Sequence, residues 1–401
     1  MKQTIQRMAA FCLILGCAPM AASAQSFDTR ATAAYVFDQT TGTILLEKNA
    51  DQPLPPASMS KLMTLYMAFE AISPLNGQSA ILTADTVLPV SQHCMNYTGS
   101  TMFLDTTDRV KVEDLLRGII VLSGNDASCV LAEALSRNGT EAGFAQQMTT
   151  RAQQMGMMNS TFANSNGWPA VGHRMSMRDL GILANRMITD YPTFYPLFAE
   201  AEFDHDGEHP ANTRNRNPLL GLGIGADGLK TGHTQEAGYG LVGSAKQGDR
   251  RIVFVLTGLQ STQARAEEAE KIVNWAFRQF AQREIVREGI RITEANVWMG
   301  EQDTVGLTVP ETVSMLVPVM DQEGVSAEVI YDGPIEAPFE EGQQVGELVI
   351  KFEGLPETRM PLVTDRAVAA GGFEIRLRVA AKVLWDKFGP NPADEPQEEA
   401  S

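Results

Sequence analysis

Ser58-Met59-Ser60-Lys61 follows directly on Pro55-Pro56-Ala57 and opens a segment whose apolar residues, Leu62, Met63, Tyr66, Met67, Phe69 and Ile72, recur at helical spacing. Read this way, Ser58 sits at a helix start and Lys61 lies one turn on, facing the same way, because residues three apart are neighbours on a helix. That spacing brings an amine to a hydroxyl. Serine is a poor nucleophile at neutral pH, and a lysine serves as its base only if burial or nearby positive charge lowers the lysine pKa. By itself the pattern is common, and a lone serine there reads better as an N-cap.

Two later strings change the weight of the first. Ser123-Gly124-Asn125 closes an apolar helix-like run, where a turn would expose a hydroxyl able to relay a proton and a carboxamide able to hold a substrate amide. Lys230-Thr231-Gly232 precedes His233-Thr234 and the first strand of a hairpin. In an edge strand, Gly232 lets a substrate peptide approach the backbone, and Lys230, Thr231 and Thr234 offer a cation and hydroxyls to a carboxylate. Lys230 also supplies a positive charge that would lower Lys61. Ser136-Arg137-Asn138 repeats the second pattern and reads as a helix-end decoy. A nucleophile, two ammonium groups, a relay hydroxyl and a carboxamide are the parts of covalent acyl transfer.

Around these strings the chain alternates strand and helix signals. Ala33 to Phe37 and Thr43 to Glu47 form a hairpin about Gln39-Thr40-Thr41-Gly42, and Gly238 to Ala245 and Arg251 to Gly258 form a second about Lys246-Gln247-Gly248-Asp249. Helices are predicted at Val112 to Leu122, Ala127 to Leu135, Glu141 to Met155, Ser176 to Ile188 and Ala264 to Phe280. Helices gathered between two groups of strands predict an α+β domain with an antiparallel sheet over residues 25–283. From 284 to 370, β-branched runs at Thr304 to Val309, Val313 to Val319, Glu328 to Tyr331 and Gly346 to Phe352 predict a small all-β domain without a reactive cluster. Over 371–389, Phe373, Leu377, Ala380, Leu384 and Phe388 recur at helical spacing among Arg376, Arg378, Lys382 and Lys387. Such a basic amphipathic helix suits an anionic membrane surface. The acidic, proline-bearing tail 390–401 reads as disordered.

The environment follows from the ends and the charge. Lys2 and Arg7, the apolar stretch Met8 to Met20 and Ala22-Ser23-Ala24 read as a secretory signal peptide over 1–24; Leu15-Gly16-Cys17 is a weaker, lipobox-like alternative. The expected location is therefore the periplasmic face of the cytoplasmic membrane, with the protein held peripherally. Net charge is 32 − 49 = −17, and −19 once Lys2 and Arg7 are lost, which argues against nucleic acid. Cys12 and Cys17 fall in the leader. Cys94 and Cys129 are able to pair in an oxidising compartment, but Cys129 stands in the apolar run Cys129-Val130-Leu131-Ala132 and is expected to pack as a small hydrophobe. His205-Asp206-Gly207-Glu208-His209 has two histidines four apart, yet Gly207 and Pro210 favour a solvated loop over a zinc site. No metal or cofactor is expected, and His93 and His173 read as structural.

The chain resembles the low-molecular-mass, serine-type penicillin-binding proteins of the D-alanyl-D-alanine carboxypeptidase family. The resemblance rests on Pro56-Ala57-Ser58, Gly99-Ser100-Thr101-Met102-Phe103-Leu104, Leu116-Arg117-Gly118, Ser123-Gly124-Asn125-Asp126-Ala127, Asn215-Arg216-Asn217 and Asp227-Gly228-Leu229-Lys230-Thr231-Gly232-His233-Thr234. It implies a β-lactamase/transpeptidase-like catalytic domain in which Ser58 attacks a peptidoglycan stem peptide, Lys61 is the base and Ser123 relays the proton. It further implies that Asn125, Lys230, Thr231, Gly232, His233, Thr234 and Arg216 bind substrate, that the N–H groups of Ser58 and His233 hold the oxyanion, and that β-lactams acylate Ser58. Three other readings share the scaffold: a β-lactamase, a D,D-endopeptidase and a non-catalytic envelope-binding protein. The first is disfavoured because no glutamate occurs between Glu141 and Glu200 and Asp179 reads as helical. The second is disfavoured by the β domain and anchor, the third by the complete motif set.

Overall fold

The computed structural model describes residues 27–375 apart from 76, 320–324 and 353–356, together with 377 and 381. The leader expected at 1–24, most of the helix expected at 371–389 and the tail from 390 lie outside the described residues. The chain divides into two compact units, the first ending at Phe280 and the second beginning at Ala281.

The first unit opens with β1 (Ala33–Asp38) and β2 (Ile44–Lys48), then a 3-10 turn (Ala57–Ser60) leading into α1 (Lys61–Ile72). Next come β3 (Val87–Pro89), α2 (Gln92–Met95), β4 (Arg109–Lys111), α3 (Val112–Arg117), a π turn (Gly118–Leu122), α4 (Asn125–Leu135), α5 (Glu141–Gln154) and α6 (Met177–Asp190). It closes with β5 (Ala226–Thr234), β6 (Gly238–Gln247), β7 (Arg250–Leu259) and α7 (Thr262–Gln279). Four helix starts are fixed by hydroxyl caps: Ser91, Thr140, Ser176 and Ser261 accept from the N–H groups of Cys94, Gly143, Asp179 and Ala264. The antiparallel sheet runs β2-β1-β7-β6-β5, so strands from both ends of the unit pair and β5 is left at an edge. The expected α+β architecture is what folds.

Helix α1 is the axis of the helical cluster, touching α4, α5 and α6. Leu62, Met63, Leu65, Tyr66, Ala68 and Phe69 are buried around its whole circumference, as a helix apolar on all sides requires. Each of the leucine, methionine and phenylalanine side chains contributes about 1.5–3 kcal/mol through removal from water. Because Lys61 is the first residue of this central helix, its side chain is buried with it.

One expectation is corrected here. Cys129 on α4 is buried, but it is bonded to Cys94 on α2, with Cα atoms 5.3 Å apart. Packing of α2 on α4 joins residues 35 apart in sequence, a proximity that the apolar setting of Cys129 does not reveal.

The second unit contains β8 (Phe280–Val286), β9 (Thr293–Trp298), β10 (Thr304–Thr308), β11 (Val313–Pro318), β12 (Val325–Tyr331), β13 (Ile335–Glu336), β14 (Gln344–Phe352) and β15 (Thr358–Thr364). Six of these form a sheet of order β12-β14-β15-β10-β9-β13, and β8 pairs with β11. Its own core includes Ala295, Val305, Leu307, Val313, Leu348, Ile350 and Leu362. Strand β15 is obscured in the sequence by Pro361, which a central strand should exclude. The structure tolerates it because β10 pairs with β15 only at Val363 and Thr364, beyond the proline.

Candidate active site

The 3-10 turn carrying Ser58 is seated on the sheet by a glycine pair. Gly232 on β5 and Gly240 on β6 are register partners, and a Cβ on either would fall within 3 Å of Met59: 2.9 Å from its Cγ at Gly232 and 2.7 Å from its Cε at Gly240. Met59 therefore lies in a notch made by two absent side chains, and Ser58 is held beside the edge strand. The close approach that Gly232 permits here is that of the nucleophile's own turn. From the other side, Gly167 packs at φ +81° where a Cβ would lie 1.9 Å from Ala57 O.

Ser58 Oγ is not a helix cap. It accepts at 2.9 Å from Lys61 Nζ, which also donates to Asn125 Oδ1 at 2.7 Å and to Asn166 O at 2.6 Å. Burial, reinforced by the positive charge of Arg216, pulls the Lys61 pKa down to about 7 against the opposing carboxylates of Asp126 and Glu141. The first charge acting on Lys61 is that of Arg216, and the repulsion between the two lysines that the sequence suggests is carried by Lys230. Among the charges, the lysine–lysine repulsion falls first on Lys230, which burial and then Lys61, Arg216 and Arg265 push well below the ordinary lysine range.

Ser123 ends the π turn in the left-handed region at φ 64°, a conformation that costs a non-glycine residue about 1–2 kcal/mol. This turn aims its hydroxyl at Lys230 Nζ, 2.9 Å away. Two residues on, Asn125 starts α4 with its carboxamide engaged at both ends, its Oδ1 accepting from Lys61 and its Nδ2 donating to Thr98 O at 2.8 Å. Asp126 is buried behind it and accepts from the N–H groups of Met102 and Leu104, fixing the Thr101–Leu104 segment. Arg216 donates to Ser100 Oγ. His233 stacks on Tyr239 with centroids 3.9 Å apart, Thr231 is buried, and Thr234 Oγ1 accepts from Ala237 N in the turn after β5. All ten residues singled out in the sequence thus fall on β5, the nucleophile turn, the first residue of α1, the Ser123–Asn125 turn or the Arg216 segment. A cleft of about 350 Å³ is lined by Ser58, Asn125, His233 and Thr234 among them.

The sequence reading missed the opposite wall. Asn166, Gly167, Trp168 and Pro169 line the same cleft, and Trp168 is 42% exposed there and T-shaped to Tyr97. Asn164 Oδ1 accepts from Gly167 N, Asn164 Nδ2 donates to Trp168 O, and Thr64 Oγ1 donates to Ser165 O, so the loop is held from within and from α1. A surface tryptophan between Gly and Pro was the available signal. Arg265 was also missed: it is buried on α7, donates to Arg216 O at 3.3 Å, and its Nε has no partner among the described residues. His209 stacks on Phe103 at 4.0 Å, and Ser136 closes α4, its hydroxyl bonded to Asn138.

Sequence comparison agrees with this geometry. The model for the D-alanyl-D-alanine carboxypeptidase peptidase family matches residues 19–261, and that for the penicillin-binding protein 5 C-terminal domain matches 280–370. D-alanyl-D-alanine carboxypeptidase DacC of Escherichia coli is 33% identical over 361 residues, 87% of this chain and 86% of the relative. Among solved structures, penicillin-binding protein 5 of Haemophilus influenzae is similar at a TM-score of 0.71 and 30% identity, over 88% of this chain and 100% of the other. The carboxypeptidase DacD of Francisella tularensis is similar at 0.74 and 27%, over 88% and 97%. With the lysine–serine pairs, the edge strand and both domains matched along its length, this chain belongs to the D-alanyl-D-alanine carboxypeptidase family of serine hydrolases.

Proposed function

We propose that this carboxypeptidase removes the terminal D-alanine of peptidoglycan stem peptides through an acyl-enzyme on Ser58, with Lys61 as general base. The observation that carries the reading is the buried Lys61 amine 2.9 Å from Ser58 Oγ with its pKa near 7, so that at neutral pH a large fraction is unprotonated. Lys61 takes the hydroxyl proton as Ser58 Oγ bonds to the carbonyl carbon of the penultimate D-alanine. The N–H groups of Ser58 and His233 hold the oxyanion, a contribution on the order of 10²- to 10³-fold per donor. The C–N bond then breaks, and the departing amine receives the proton carried by Lys61, relayed through Ser123, which Lys230 holds in place. Water attacks the ester carbonyl as Lys61 takes a proton from it, the C–O bond to Ser58 breaks, and Lys61 returns that proton to Ser58 Oγ.

Asn125 grips the peptide amide with Lys61 as its neighbour, and Lys230, Thr231, Thr234 and Arg216 gather positive charge and hydroxyls where the terminal carboxylate sits. β-Lactams mimic the dipeptide and acylate the same serine. A class A β-lactamase reading needs a carboxylate to activate the deacylating water, and the cleft lining contains none among the described residues. Export by residues 1–24 and peripheral anchoring by 371–389 would put the enzyme at the periplasmic membrane face. In support, Phe373 and Leu377 are solvent-exposed, and no helix among the described residues is long and apolar enough to cross a membrane.

Mass spectrometry of a purified pentapeptide before and after incubation tests the reading. Loss of one alanine with the wild type and none with Ser58→Ala is the expected result; release by the alanine variant would move the nucleophile elsewhere. A cross-linked dimer cleaved in preference to the pentapeptide would favour the endopeptidase.

A further inference from the structure

The cleft has two walls, and both are tied to one carboxylate that the chemistry above does not use. Glu141 is the first residue of α5, where a negative charge also suits the helix terminus, and its side chain is buried. Its Oε1 accepts from the backbone N–H of Ser165 at 3.0 Å and from the Ser165 hydroxyl at 2.5 Å. Its Oε2 accepts from Tyr97 at 2.7 Å and lies 2.9 Å from His93 Nε2. Ser165 precedes Asn166, whose carbonyl receives the Lys61 ammonium, and Tyr97 precedes Thr98, whose carbonyl receives Asn125, itself the second acceptor of Lys61.

We propose that Glu141 is the positioning residue of the general base: it clamps the Asn164–Trp168 loop and the Tyr97–Ser100 segment so that both acceptors of Lys61 stay in place, and its charge offsets the cationic surroundings of that lysine. This inference rests on Lys61 being the base. The charged and titratable groups acting on Lys61 are Arg216 and Lys230, which disfavour the ammonium, Asp126 and Glu141, which favour it, and the neighbouring His173. Burial alone would raise the Glu141 pKa, but the hydrogen bonds from Ser165, Tyr97 and His93 outweigh it and hold the carboxyl below its usual range, so it stays ionised at neutral pH.

Glu141→Gln, Glu141→Asp and Tyr97→Phe separate the two parts of the role. A glutamine keeps the contact to Ser165 but places an amide where Tyr97 and His93 need an acceptor, and it removes the charge. Its acid limb of kcat/KM should move to lower pH by about half a unit or more, because the Lys61 ammonium has lost an attractive partner. Its plateau rate should fall on the order of 10- to 100-fold as the acceptors of Lys61 shift. Glu141→Asp, which keeps the charge, should restore the limb, and Tyr97→Phe should lower the plateau and leave the limb in place. An acid limb unmoved in a folded Glu141→Gln overturns the charge role, and a plateau within about twofold of wild type overturns the clamp. If Glu141→Gln does not fold, Tyr97→Phe with an undiminished plateau rejects the clamp, and a displaced Glu141→Asp limb rejects the charge role. Failure of the parent reading looks different: Lys61→Gln would still be acylated by fluorescent penicillin, whatever the Glu141 variants do.

Discussion

Lys230 Nζ lies 2.9 Å from Ser123 Oγ across 107 residues of sequence, and Lys61 Nζ lies 2.9 Å from Ser58 Oγ within one turn. The site is thus two amine–hydroxyl pairs, one local and one long-range. The local pair belongs to the start of the central helix. The long-range pair exists only because the edge strand β5 runs beside the strained turn that ends the apolar helix α3 and its π extension.

The depressed pKa of Lys61 sets the acid side of the rate. With the base protonated below about pH 7, kcat/KM should fall roughly tenfold for each unit of acidification and level off above it. Lys61→Arg, permanently charged, should lose about 10²- to 10⁴-fold in acylation rate at every pH. Stopped-flow acylation by a chromogenic cephalosporin from pH 5 to 9 measures both, and a profile flat across pH 7 would remove Lys61 from the base role.

Gly232→Ala tests the seat of the nucleophile turn. The added methyl meets Met59 Cγ at 2.9 Å, Pro56 O at 3.0 Å and Met59 N at 3.2 Å, two of the three being backbone atoms that cannot step aside. Stability should drop by about 1–3 kcal/mol, and fluorescent-penicillin labelling should slow because Ser58 moves with its turn. Labelling at the wild-type rate would show that the turn does not need the glycine notch.

Cys94 and Cys129 should resist alkylation when the protein is denatured without reductant and each take one label after reduction. Replacing both with serine opens a loop of 35 residues and should lower unfolding free energy by about 3–4 kcal/mol, read from urea midpoints. Two free thiols in the unreduced chain would contradict the bond.

Trp168 stands exposed on the wall facing β5, so its replacement should act on binding more than on folding. Trp168→Ala should raise KM for pentapeptide by about 3- to 10-fold, the loss of roughly 1 kcal/mol of apolar contact, with the melting temperature nearly unchanged. An unaltered KM would place the substrate away from this wall.

Removing residues 371–401 should leave pentapeptide hydrolysis nearly intact and release the protein from membrane fractions. Sedimentation unchanged by the truncation would rule out the anchor.

The sequence by itself determined the elements and the chemistry within them. Periodicity located the two hairpins and six helices, and the i, i+3 spacing set Lys61 beside Ser58 because a helical turn is local geometry. Three motifs in order named the reacting groups. Tertiary structure decided what no local pattern carries. The disulfide of Cys94 required α2 to pack on α4, and Gly232 admits a methionine 173 positions earlier in the chain (232 − 59 = 173). The lysine pKa depends on burial at the tip of a core helix and on Arg216, and the cleft wall at Asn166–Pro169 lies in a loop with no periodicity to read. Desolvation and charge coupling act through space, so they were fixed only when the folded chain brought those segments together.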